Sequence, residues 1–201
     1  MNLSVNRPKA DTELLDDLLD RIAACRVCSD VLPLGPRPVL QVSPTARILV
    51  ASQAPGTRVH ESGVPFADAS GDRLREWMGV SADEFYDASR IAIVPLGLCY
   101  PGRGTSGDAP PRPECAPLWR SRIMAQLRGL RLTLLVGSHA QVERFGRGQM
   151  TERVRAFRDH LPHVLPLPHP SWRSQVWMKR HPWFEAEVLQ ALRAAVREAL
   201  A

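Results

Sequence analysis

Among the 201 residues, four cysteines have types and spacing that can do chemistry: Cys25 and Cys28, a C-x2-C pair, and Cys99 and Cys115 farther along. The C-x2-C spacing lets two thiolates reach one metal centre. The second two bracket a loop that a shared metal would pin. All-cysteine ligation fits a [4Fe–4S] cluster or tetrahedral zinc, and the spacing leaves both open.

Three short segments add organic chemistry. In SQAPG, residues 52–56, the small Ala54 and Gly56 let backbone N–H groups approach a ligand, and Gln53 offers a donor and an acceptor to a base edge or a water. In GVPFADASG, residues 63–71, Phe66 sits in a polar Gly/Pro-rich stretch, where its ring can stack on a planar ligand. In HPSWR, residues 169–173, His169 can donate a hydrogen bond to an anionic leaving group. Ser171 can hold a phosphate, Trp172 can wedge into a base stack, and Arg173 can reach a groove or a phosphate. His60, His139, His160, His163 and His181 show no ligand spacing with the cysteines and read as ordinary surface or structural residues.

These segments need a scaffold. Leu14, Leu15, Leu18, Leu19 and Ile22 recur at helical spacing, so residues 12–24 read as an amphipathic helix capped by Asp11 or Thr12. Residues 33–44 are Pro-rich and irregular. ARILVA (46–51), RIAIV (90–94), LTLLV (132–136) and a Pro-interrupted run at 164–167 read as strands, the last at an edge. Helices are expected from near Ser70, from Ser81 to Tyr86 behind a Ser81/Glu84 capping box, at 116–127, from Ser138, at 151–160, and from Pro182 to about Leu200. Residues 97–113 read as too polar and broken for regular structure. Strands alternating with helices predict one α/β domain: three layers, α/β/α, around a mostly parallel sheet of about four strands. Ligands then bind beyond the carboxyl ends of the strands, where SQAPG, the Cys99 loop and HPSWR all fall.

Composition sets the bounds. With 44% apolar residues the chain has a real core and is not wholly disordered. No apolar run reaches the ~18 residues of a membrane span. The N-terminus turns acidic where a signal peptide would be apolar, so the expected compartment is the cytoplasm, where cysteines favour metal or free thiol over disulfide. Residues 1–100 carry 10 Lys/Arg against 13 Asp/Glu, and residues 101–201 carry 16 against 8. This basic second half, almost all arginine, suits a polyanionic partner. A monomer is the default expectation.

Taken together, these motifs resemble the uracil-DNA glycosylase superfamily, most closely its iron–sulfur-containing family 4, from about Leu14 to Leu192. That family's pattern runs C-x2-C, GEAPG, G-x-PF-x-G-x-[AS]-G, two cysteines about fifteen residues apart, and an HPS-type loop. Residues 134–141, LLVGSHAQ, look like its third strand and following helix. The resemblance implies a [4Fe–4S] cluster on Cys25, Cys28, Cys99 and Cys115, and DNA carrying uracil or another deaminated base as partner. It implies that Phe66 stacks on the flipped base, that His169 stabilises the departing uracil anion, and that Gln53 positions water. Residues 171–173 would enter the duplex. The sequence departs from the pattern, and two of the departures bear on the chemistry. Gln53 stands where family 4 has Glu, and a neutral amide orients water but is a poor base. Pro95 stands where family 4 places an Asn on the uracil edge.

Overall fold

The protein is described by a computed structural model over residues 14–105 and 107–201. In chain order the elements are α1 (Leu15–Ala23), β1 (Ile48–Ser52), α2 (Thr57–Ser62), α3 (Ala69–Met78), α4 (Ala82–Tyr86), β2 (Ile91–Pro95), β3 (Arg103–Gly104), β4 (Gly107–Asp108), α5 (Cys115–Gln126), β5 (Leu132–Val136), α6 (Ser138–Phe145), α7 (Met150–Arg155), β6 (Val164–Leu167), α8 (Arg173–Arg180) and α9 (Leu189–Leu200). No helix among the described residues is long and apolar enough to cross a membrane.

The central sheet has four parallel strands in the order β2-β1-β5-β6. Both faces of β1 are covered, which is why it reads as an unbroken apolar run. Alternate side chains divide between two cores. Ile48 and Val50 pack with Leu74 and Trp77 of α3 and Leu192 and Val196 of α9. Leu49 and Ala51 pack with Leu18 and Ile22 of α1 and Trp119 and Ile123 of α5. Burying each such side chain stabilises the fold by about 1.5–3 kcal/mol. The result is the expected three-layer α/β/α arrangement. β6 is an edge strand, and its Pro166 faces Leu135 of β5.

Several local expectations hold. The Ser81/Glu84 capping box forms, with each backbone N–H bonded to the other's side chain at 3.1 Å. The helix near Ser70 begins at Ala69, capped by Asp68, whose carboxylate accepts from Gly71 N–H at 2.9 Å. The proposed caps Asp11 and Thr12 lie outside the described residues.

The structure differs at five places, one being the final helix, whose first part, Phe184–Val188, is π-helical before α9 begins. Residues 97–113 contain a two-stranded antiparallel hairpin, β3–β4, too short to leave a hydrophobic period. α2 follows SQAPG directly; only one and a half turns long, it buries just Val59 and His60. Arg173 opens α8 with Trp172 as its N-cap, although the sequence placed both in a loop. That helix lacks an apolar repeat and is tied down by polar bonds, including Trp177 Nε1 to Thr151 Oγ1 at 2.9 Å. The helix expected at 151–160 divides into α7 and a 3-10 turn at Phe157–Asp159.

Candidate active site

Because the four strands are parallel, their carboxyl ends share one rim. From β1 the chain turns toward β2, and from β5 it turns the opposite way toward β6, so a crevice opens between β1 and β5. A cleft of about 910 Å³ occupies it. Gln53, Ala54 and Gly56 line it from the end of β1, and Phe66 from the turn before α3. His169, Ser171, Trp172 and Arg173 line it from beyond β6. Pro95 stands at the end of β2 in the same cleft. Every organic site residue expected from the sequence therefore meets in one place.

Phe66 is 8% exposed, with its ring edge-on to Phe85 at 6.2 Å. Its φ of 56° is in the left-handed region, which costs a bulky residue of order 1–3 kcal/mol. Two neighbours enforce that turn. Tyr86 Oη donates to Phe66 O at 3.2 Å. Gly71 lets the α3 backbone come so close that a Cβ there would lie 1.8 Å from Phe66 O. Gly71→Ala is therefore expected to push the Phe66 turn out of place, costing about 1–3 kcal/mol of stability in urea denaturation and weakening ligand stacking. Unchanged stability would show that the turn is not packed this way.

His169 is held by its backbone. Ser171 N–H donates to His169 O at 2.8 Å, and Ser174 Oγ donates to the same carbonyl. Arg73 Nη1 donates to Pro170 O at 3.0 Å, joining α3, which follows Phe66, to the His169 turn. The fully buried Gln141 donates Nε2 to Leu167 O at 2.8 Å. Gly137, at φ 87°, lets the end of β5 pass His169, whose Cβ is 3.4 Å from the position a side chain there would take. Burial lowers the imidazole pKa, and the nearby Asp68 and Asp108 carboxylates partly oppose this. The neutral ring is therefore favoured at neutral pH, and an uncharged imidazole can still donate a hydrogen bond.

The sequence reading passed over His139, Asp68 and Asp108, which also line the cleft. Asp68 lay within GVPFADASG, where it reads first as a helix cap. His139 sits at the start of α6, within LLVGSHAQ, where it reads as an ordinary structural residue. His60 is buried against Tyr100, with ring centroids 6.2 Å apart, and His160 stacks on Phe145 at 4.5 Å, as structural residues would.

The outer surface of the site carries Trp172, 68% exposed, with the Arg173 guanidinium 5.3 Å from its ring centre. A large, accessible, cation-backed ring beside a cleft is suited to a stacked polyanion. A model of the uracil DNA glycosylase superfamily matches residues 40–193. The chain belongs to the uracil DNA glycosylase superfamily. The match spans SQAPG, Phe66, the β3–β4 hairpin and the His169 turn, but begins after Cys25 and Cys28. Membership makes the general role that of a DNA glycosylase, a hydrolase of base excision repair that binds DNA.

The four cysteines line a second, smaller cavity of about 20 Å³, walled by Leu32, Leu98 and Trp119. Leu98 N–H donates to Cys115 Sγ at 3.3 Å. The Arg37 N–H is directed at Cys99 and the Arg112 side chain at Cys28. Burial pushes the Cys99 thiol up to about 11, and Cys115 shifts in the same direction. Among the described residues, no group of three or more His, Cys, Asp or Glu side chains is arranged to hold a metal ion. The four thiols line one largely apolar cavity, with N–H donors aimed at three of the sulfurs, but the side chains are not drawn together as metal ligands.

Proposed function

We propose that this protein is a monofunctional uracil-DNA glycosylase of the iron–sulfur type. It would remove uracil, or a related deaminated base, and leave an abasic site. The observation that carries the reading is that Phe66 and His169, far apart in sequence, line one cleft at the carboxyl rim of the sheet. A stacking face and a neutral donor are what a flipped base needs.

A base inside a duplex is out of reach, so it must first be extruded at a cost of a few kcal/mol. Trp172 fills or wedges the gap, and Ser171 and Arg173 hold the backbone. Phe66 stacks on the base. Breaking the N-glycosidic bond builds positive charge on the sugar and negative charge on the base. His169 donates to the base as that charge grows, and a fixed donor of this kind is often the largest single contribution to rate. Gln53 and the Ala54 and Gly56 backbone lie where water and sugar would stand. Pro95 offers no side-chain hydrogen bond, so the uracil edge must be read by other groups in the cleft. Cys25, Cys28, Cys99 and Cys115 would hold the [4Fe–4S] cluster, whose role is to tie the 99–115 segment to the N-terminal region.

The test is base release from a uracil-containing oligonucleotide, read as strand scission after alkali, on anaerobically purified protein. Hypoxanthine and xanthine substrates run beside it define the preferred base. Absence of scission at enzyme excess, with the cluster intact, would overturn the reading. Arg173→Ala is expected to weaken DNA binding and reduce the salt slope of the affinity by about 1. An unchanged slope would remove Arg173 from the DNA interface.

A second reading is a binder of damaged DNA that does not release the base. It is favoured by the bond from Gln53 Nε2 to Ala109 O at 2.9 Å, which occupies the amide at the position expected to handle water. Gel-shift binding with no base release would support it; multiple turnover would remove it.

A further inference from the structure

The hydrolytic step needs a proton acceptor, and Gln53 is not one. A carboxylate reaches the same turn from elsewhere. The β3–β4 hairpin, between Cys99 and Cys115, folds back over SQAPG and pairs Arg103 with Asp108. Asp108 Oδ2 lies 3.4 Å from the position a Cβ on Gly56 would occupy, so the carboxyl rests on the last residue of that turn. It lines the cleft with Phe66 and His169. The hairpin is fastened in place. Ala109 N–H donates to Gly102 O at 2.8 Å, and Gly97 N–H donates to Gln53 O at 3.0 Å. The Gln53 side chain bonds the carbonyl of Ala109, the residue directly after Asp108.

We propose that Asp108 is the group that orients the hydrolytic water and takes its proton, and that Gln53 is the positioning residue that latches Asp108 over the pocket. This rests on the glycosylase reading above. In the step, the water oxygen bonds to the sugar carbon as the N-glycosidic bond breaks. The bonding pair leaves with the base, whose anion accepts a hydrogen bond from His169. The water proton passes to the Asp108 carboxylate and then to solvent. The same negative charge offsets the positive charge on the sugar in the transition state.

Four charged or titratable groups face Asp108. Arg103 lies across the hairpin, and Asp68 caps α3. His169 follows β6, and Arg173 of α8 reaches Gly107 next door, its Nη1 3.4 Å from the position of a Cβ there. Partial burial raises the Asp108 pKa, and Asp68 adds to it; Arg103 and His169 act in the opposite direction. A base works only when ionised. The rate should therefore rise with pH along a limb above the ordinary carboxylate range.

The experiment measures single-turnover uracil release against pH, and affinity for the same DNA, in full-length wild type, Asp108→Asn, Asp108→Glu, Gln53→Ala and His169→Asn. Asp108→Asn should slow release about 10²–10⁴-fold at neutral pH, lose the acid limb and keep its DNA affinity. Asp108→Glu should recover part of the rate and the limb. Gln53→Ala should be slower, with its limb moved toward the ordinary carboxylate range as Asp108 loosens into solvent. Wild-type rates in Asp108→Asn would overturn the proposal. So would an acid limb that survives in Asp108→Asn and disappears in His169→Asn, because that limb belongs to the imidazole. Rate and DNA affinity falling together in Asp108→Asn would make the residue structural and overturn it as well. Wild-type protein that binds DNA but releases no base would remove the glycosylase reading and this proposal together, an outcome distinct from the other three.

Discussion

His169→Ala is expected to slow uracil release by about 10²–10³-fold while leaving affinity for uracil-containing DNA nearly unchanged. The magnitude follows from the loss of one pre-organised donor to a developing anion, worth about 2.7–4 kcal/mol. Affinity is spared because the donor matters most in the transition state. The groups at the mouth of the cleft, Trp172 and Arg173, are separate from the ring. The substitution leaves the local backbone bonds available: Ser171 N–H, Ser174 Oγ and Arg73 reach carbonyls of residues 169 and 170, not the imidazole. Single-turnover kinetics and a binding titration on the same preparation check it. Equal losses of rate and affinity would show that His169 holds the DNA and does not serve the chemistry.

Cys25→Ser is expected to have the largest effect on stability. If the four thiols share one cluster, they cross-link positions from Cys25 to Cys115. By the loop-closure estimate used for disulfides, a cross-link over so long a span removes about 4–5 kcal/mol of unfolded-chain entropy. In a domain of this size that corresponds to a thermal midpoint lower by about 10–20 °C. Iron, acid-labile sulfide and the brown colour should fall with it. Base release should drop too, because the 99–115 segment carries the β3–β4 hairpin against SQAPG. A Cys25→Ser protein that keeps wild-type stability and activity would overturn the structural cluster. Stoichiometric zinc without iron in the wild type would reassign the metal.

The two predictions probe different layers of one design. His169 lies at the rim of the sheet, on a turn that Arg73 joins to the helix after Phe66. The cysteines line the other cavity, and two of them bound the 99–115 segment. This division accounts for the two cavities: the open cleft has room for a nucleotide and its water, whereas the thiol-lined one is small and walled by apolar side chains.

The sheet and the positions of the motifs were legible in the chain. The short apolar runs at 46–51 and 90–94 read as strands buried on both faces, and their alternation with helices pointed to a parallel sheet. Parallel strands put the ends of β1, β2 and β6 on one rim, so the meeting of Gln53 and His169 was legible in the chain, whereas Phe66 joined them only through the family resemblance. Only the tertiary structure decided how those residues are held and what joins them. The Phe66 turn depends on a contact with Gly71 and a bond from Tyr86, neither of which leaves a period in the chain. The hairpin that brings Asp108 onto Gly56 has two residues per strand and takes its shape from bonds to residues about fifty positions away. Periodicity reports a side chain's repeated exposure to one core, and polar contacts made once across the fold have no repeat to read.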